Sequence, residues 1–348
     1  MEEKLTERER AVLLAVIQSY VLTAEPTGSR VVARDCGLGV SPATVRNTMA
    51  DLEEKGLLTH PHPSAGRLPT DRAYRYYVDG FMARRPLSAT ERDRIRRELA
   101  VSAEVGAIDE LVGRAARVLS LLTGELGLAV GPALASAVLQ RLELVPVDSE
   151  KALLVLTLES GLVRTLYVDL PTRLPRESLS AVAAALNERL AGTTLEEIRD
   201  GLTERLRDLP IDHPAARQLV NIFVGSGPEI FDWAVQGRDV HLGSAAALAE
   251  QPEFTTGDRL RALIELTERR ELLASVLGER LKAGEPQVTI GAELSTPELS
   301  ELTIVTAPYS IGALHGVVGV IGPTRMAYEK IVSVVDTTSS LVSSLARR

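Results

Sequence analysis

Apolar residues recur at helical spacing in short stripes near the start of the chain, and each stripe ends at an abrupt break. Leu13, Val16, Ile17 and Tyr20 share one face of a first predicted helix, and Thr6 with Glu9 has the spacing of a capping box at its start. Glu25-Pro-Thr-Gly28 interrupts the pattern, Ser29 to Asp35 reads as a second, short helix, and Cys36 to Val40 as a glycine-containing turn. Ser41-Pro42 opens a third helix, because serine accepts from free backbone amides and proline at the first helical position gives up no useful donor. That helix runs to about Lys55 and stops at Gly56. Leu57 to His60 and Arg67 to Thr70 follow as short strands joined through Pro61, Pro63 and Gly66. Three helices and a hairpin form the layout of a winged helix-turn-helix, assigned to residues 1–82.

Ser88 and Glu91 form a second box, opening an arginine-rich linker helix within 83–104. A longer helix carries Val105, Ile108, Leu111, Val112, Ala115, Val118, Leu119 and Leu122 on its apolar side. Near residue 137 the apolar period shortens to two, and 138–147, 152–158 and 161–170 read as strands. Residues 176–208 are helical, with Thr194 and Glu197 placed as a further box, and 214–284 are mostly helical. Strands return at 286–292, 302–308 and 311–321, and a last helix starts near Pro323. Strands on both sides of a long helical stretch predict the α+β class. One α+β unit, 105–172 with 285–348, is interrupted by a mainly helical insert over 173–284.

Composition narrows the chemistry. The chain has 348 residues, 45% hydrophobic and 25% charged, enough for two or three ordinary globular domains. Cys36 is its only cysteine, which excludes an intrachain disulfide and a cysteine-based zinc site and fits a reducing, cytoplasmic setting. The charged N-terminus does not resemble a signal peptide, and the apolar stretches near 126–139 and 311–322 are too short and too rich in glycine or proline to cross a bilayer, so no membrane partner is expected. The five histidines are scattered, Gly316 to Gly322 lacks the lysine and spacing of a phosphate loop, and nothing suggests a catalytic triad. No enzyme activity, metal or cofactor is expected.

The net charge of −8 argues against a nucleic-acid partner until it is localised. Residues 1–77 carry 10 basic and 10 acidic side chains, so the whole deficit lies downstream. Within the third helix Val45, Met49 and Leu52 share the face that anchors it, leaving Ala43, Arg46, Asn47 and Ala50 outward. Small residues let such a helix sink into the major groove, and Arg and Asn match guanine and adenine edges. Ser41 and Thr44 at the helix start lie nearest the phosphates. The wing offers His60, His62, Ser64 and Arg67, with Arg67 the best candidate for a backbone or minor-groove contact, and Arg72 and Arg75 are candidates for phosphates.

Glu25-Pro-Thr-Gly-Ser29, Gly39-Val-Ser-Pro-Ala-Thr-Val-Arg-Asn47, Asp51-Leu-Glu-Glu-Lys-Gly-Leu57 and Pro63-Ser-Ala-Gly-Arg-Leu-Pro-Thr-Asp71 resemble the HrcA family of heat-inducible transcription repressors. Leu186-Asn187, Gly192-Thr-Thr-Leu195 and Ile321-Gly-Pro-Thr-Arg-Met326 are similar to it as well. The resemblance implies a repressor of chaperonin and DnaK operons that binds an inverted-repeat operator as a homodimer and is kept active by the GroEL chaperonin. It also implies a GAF-like α+β domain and an inserted dimerisation domain. The alternative is a winged-helix regulator controlled by a small effector in the GAF-like domain, in a pocket walled by strands 302–321 and the helix after Gly322. An enzyme tethered to DNA would require a convergent polar site in the middle domain.

Overall fold

A computed structural model describes residues 5–62, 65–83, 85–100, 108–170, 174–209, 214–235, 239–278, 280 and 285–346. Ser64 lies outside them, as do the end of the expected linker at 101–104 and the expected helix start at Val105.

The head consists of α1 (Glu7–Thr23), α2 (Ser29–Asp35), α3 (Pro42–Glu54), the hairpin β1 (Leu58–Thr59) and β2 (Leu68–Pro69), and α4 (Asp71–Gly80). Its helix starts form where the capping residues predict them: Thr6 and Glu9 make a reciprocal box, and Ser41 accepts from the Thr44 amide. The sequence pattern did not reveal α4, whose apolar face is made of tyrosines. Tyr74 and Tyr77 are buried there, and Thr70 caps the helix start. The linker α5 (Ala89–Ala100) is opened by the Ser88–Glu91 box and leads to α6 (Ile108–Thr123).

Two separate sheets follow. β3 (Leu126–Val130) precedes β4 (Leu139–Pro146), β5 (Lys151–Leu158) and β6 (Val163–Asp169), which form an antiparallel sheet of their own. The helices α7 (Arg176–Leu190), α8 (Leu195–Leu206) and α9 (Pro214–Val235) come next. Leu142, Leu154 and Leu156 of that sheet share an apolar core with Leu179, Leu186, Ile198 and Phe223 of those helices. The strands of 139–169 therefore belong with the helices after them, which departs from the expected grouping with 285–348. Alternation alone shows that one face of a strand is buried, not which layer covers it. Asn187 ties the two layers: its side chain accepts from Leu142 N and donates to Leu142 O, both at 2.7 Å.

The second sheet has five strands in the order β7-β3-β10-β9-β8, all antiparallel. Its remaining members are β7 (Val240–Leu242), β8 (Gln287–Ile290), β9 (Leu302–Ile311) and β10 (Leu314–Pro323). The helices α10 (Ala246–Ala249), α11 (Gly257–Glu268) and α12 (Arg270–Gly278) lie between β7 and β8 in the chain. Leu128, Ile304 and Val317 face Leu263, Leu266 and Leu273 of α11 and α12. Ala129, Val305, Val318 and Val320 face α6 and the last helix, α13 (Tyr328–Leu345). Sequence periodicity missed β3 because every residue of Leu126–Val130 is buried, leaving no alternation, and missed β7 because it is three residues long. Pro323 ends β10 instead of opening a helix, and α13 begins at Tyr328.

Glu125, just before β3, is buried against Gly322, where an added Cβ would stand 2.2 Å from its Oε2. Burial pushes this carboxyl up to about 8, against the opposing pull of a hydrogen bond from Gln251 Nε2 and of the nearby Arg325. An ordinary carboxyl titrates near 4.5, so between those values the folded chain holds a proton that the unfolded chain releases. Stability from this group is complete below about 4.5 and is lost as pH rises through about 8. Glu125→Gln, neutral at every pH, is expected to match the parent near pH 4 and to exceed it by on the order of 3 kcal/mol at pH 8. Thermal unfolding of both proteins across that range checks this.

Candidate nucleic-acid interface

The orientation of α3 follows from its sequence. Val45, Thr48, Met49 and Leu52 are buried against the rest of the head, while Ala43, Arg46, Asn47 and Ala50 are exposed. Among the described residues neither the Arg46 nor the Asn47 side chain makes a hydrogen bond or ion pair, and both are exposed. Ser41 accepts from the Thr44 amide at 3.2 Å, and their hydroxyls are 3.0 Å apart, which orders the helix start. Lys55 at the far end pairs with Glu9 of the first capping box at 2.8 Å, locking α3 to α1.

The wing is held from two sides. The Arg67 backbone exchanges two 2.9 Å hydrogen bonds with Thr27, and a Cβ on Gly66 would fall 2.5 Å from the Pro26 carbonyl oxygen. The backbone there approaches so closely that only glycine fits. On the other side, Glu53 of α3 receives His60 Nδ1 on one carboxylate oxygen and Arg67 Nη2, at 2.8 Å, on the other. Arg67 is consequently only 21% exposed. His62 is exposed on the wing. Arg72 is exposed, but its guanidinium donates to the Lys55 carbonyl at 3.1 Å, closing the C-terminal end of α3.

Sequence-predicted residues thus fall into two groups. Ser41, Ala43, Thr44, Arg46 and Asn47 lie together along the N-terminal half of α3, whereas His60, Arg67 and Arg72 already have partners within the head. The phosphate contact considered for Arg75 is corrected: its guanidinium donates to Glu293 at 2.6 Å, to the Val288 carbonyl and to Asp79 at 3.1 Å. Local spacing does not reveal the part played by Glu53, since its partners lie 7 and 14 positions further along the chain.

Polar ties carry the head on the rest of the chain. Arg325, just after β10, donates to Glu253 through Nε at 2.7 Å and Nη2 at 3.0 Å, and through Nη1 to the Val21 carbonyl of α1 at 2.7 Å. Tyr77 donates to Glu329 of α13 at 2.6 Å, and the Tyr74 and Tyr328 rings lie 5.6 Å apart.

A family model described as HrcA protein C terminal domain matches residues 109–332. The chain belongs to the HrcA family. A relative named heat-inducible transcription repressor HrcA from Chlorobium chlorochromatii (strain CaD3) is 36% identical, over 98% of this chain and 97% of its own length. Another of the same name, from Symbiobacterium thermophilum, is 38% identical over 99% of each chain. A crystal structure titled as that of a hypothetical protein shares the fold of this HrcA-family chain, with a TM-score of 0.64, 22% identity and 99% of both chains covered. Among the described residues no helix is long and apolar enough to cross a membrane.

Arg325→Met removes the bidentate partner of a half-buried carboxylate and the donor to α1. It is expected to cost about 2 kcal/mol of stability. It should also speed amide hydrogen exchange in the last turn of α1 more than in α6, which exchange monitored by mass spectrometry would show.

Proposed function

We propose that this protein is a heat-inducible transcription repressor of chaperonin and DnaK operons that reads an inverted-repeat operator with α3. The observation that carries this is the outward, partner-free pair Arg46–Asn47 on a helix whose cap and opposite face are both fixed. Family membership supports the biological role, and the named relatives are transcription repressors. His62 and Ser64 of the wing, with Ser41 and Thr44, supply backbone contacts. His60, Arg67 and Arg72 act at the DNA only as far as their partners in the head release them.

A two-fold operator calls for a two-fold protein. The unit of β4 to β6 with α7 to α9, which extends the expected insert, is the proposed dimerisation domain, because the outer face of its sheet exposes apolar side chains among charged ones with no layer over it among the described residues. Val145, Leu153 and Tyr167 form one row across the three strands, with Tyr167 70% and Val163 48% exposed. The outer edge of β4 is occupied at Leu139 by backbone pairing with Gly192 and Thr193 and at Leu142 by Asn187, while among the described residues no strand pairs with the outer edge of β6. Exposed apolar side chains beside an unpaired strand edge favour association with another chain. The GroEL chaperonin as activating partner rests on the family resemblance, and the protein acts in the cytoplasm as a non-enzymatic regulator.

One observation favours a second function. A cleft of about 540 Å³ lies between head and core, walled by Tyr20 and Asp71 on one side and Glu253, Arg259, Leu263 and Arg325 on the other. It overlaps one end of the pocket expected between strands 302–321 and the segment after Gly322, through Leu302, Pro323 and Thr324, and extends from there to the head. Its volume suits a small effector, which would act by moving the head. A metabolite that shifts both melting temperature and operator affinity would establish that function.

Titration of a chaperonin-operon inverted repeat and its scramble, at fixed salt, tests the main proposal. Preference for the repeat, strengthened by GroEL, is expected; equal and salt-sensitive binding to both duplexes would overturn it. Arg46→Ala should weaken operator binding by roughly 1–3 kcal/mol and relax preference at one position per half-site. Tyr167→Asp should shift the protein toward monomer in sedimentation velocity and weaken operator binding through lost bivalency.

A further inference from the structure

We infer that Glu53 is a positioning residue that sets the wing against the reading helix, and that discrimination between operator and other duplexes depends on it. This rests on α3 being the DNA-reading helix. Glu53 follows Arg46 by seven residues, close to two helical turns, so it lies on the same side of α3. A bare carboxylate there would face phosphates and repel them. Instead both oxygens are occupied, one by His60 Nδ1 and the other by Arg67 Nη2 at 2.8 Å.

These two partners come from opposite arms of the wing, His60 just after β1 and Arg67 just before β2. The strand ladder itself has two residue pairs, Leu58 with Pro69 and Thr59 with Leu68, and Pro69 has no amide to donate, while Thr70 ties the base by donating to Leu57 O and Gly56 O. Buried Leu57 and Leu58 anchor the base, and among the described residues the ladder does not continue past Thr59 and Leu68, where His60 and Arg67 stand. The Thr27 bridge pins the base of one arm, and Glu53 is the group that joins both arms to the reading helix. The same carboxylate is shared between two wing groups, so it is engaged within the head, whereas Glu54, seven residues after Asn47, is exposed.

Glu53→Gln removes the charge and keeps the shape, and Glu53→Asp keeps the charge on a shorter arm. Full-length variants are titrated against the inverted-repeat duplex and its scramble, alongside the parent and Arg67→Met, with melting temperature recorded for each. Glu53→Gln is expected to lower the operator-to-scramble affinity ratio about tenfold, within the range of coupling between directly contacting groups. Scramble binding should stay level or rise, since a negative charge has been lost, and Glu53→Asp should recover part of the ratio. In an Arg67→Met background the Glu53→Gln loss should shrink, because both changes open the same clamp. Operator and scramble affinities that rise together by one factor would show Glu53 to be only an electrostatic brake and would overturn the inference, as would an unchanged ratio. A fall in the ratio matched by a collapse of melting temperature, with no recovery in Glu53→Asp, would assign a purely structural role. A parent protein that does not distinguish the two duplexes would instead remove the DNA-reading assignment, and the inference with it.

Discussion

Val12 and Val16 of α1, Leu52 of α3 and Tyr74 of α4 lie in the same apolar core as Leu119 of α6, Val318 of β10 and Val335 of α13. The head is thus not a bead on a flexible string. Separating it from the sheet would expose apolar surface on both sides, at roughly 25 cal/mol for each Å². Burial of this kind is non-directional, so it keeps the head docked without fixing its rotation. The polar ties supply direction: Arg325 to Glu253 and the Val21 carbonyl, Arg75 to Glu293, and Tyr77 to Glu329. Because these ties differ in position, they over-determine the angle at which α3 is presented.

This arrangement bears on how an acidic chain reads DNA. The whole charge deficit lies downstream of the head, and charge beyond the screening length of about 10 Å acts little on the phosphate backbone, while the head itself is near neutral. Attraction then has to come from close, well-placed contacts. Within the head two acidic side chains are paired, Glu9 with Lys55 and Glu53 with His60 and Arg67, while Asp51 and Glu54 near the end of α3 are exposed. Arg46 and Asn47 remain available because they stand on the exposed face of α3, away from Val45, Met49 and Leu52.

The middle of the chain shows a different division of labour. The five-stranded sheet is covered on both faces, by α6 and α13 on one and by α11 and α12 on the other, and it receives the head. The three-stranded sheet is covered on one face only, by α7, α8 and α9, and its outer face carries Tyr167 and Val163. A salt bridge of 2.7 Å between Arg164 of β6 and Asp109 of α6 connects the two units. A change at the outer sheet therefore has a short path to α6, which shares its core with the head.

Local rules determined much of this protein directly from sequence. The boxes at Thr6, Ser88 and Thr194, the Ser41 cap and the anchoring face of α3 depend on residues within a turn or two of each other, so spacing alone reveals them. The outward position of Arg46 and Asn47 was legible for the same reason. Tertiary structure alone decided which sheet takes β4 to β6, that Leu126–Val130 is a central strand, and that Arg75 serves the head–core junction. It also brought Glu53 to both arms of the wing. Those outcomes depend on partners distant in sequence, or on burial of both faces that erases the two-residue period, and a one-dimensional pattern carries no record of either.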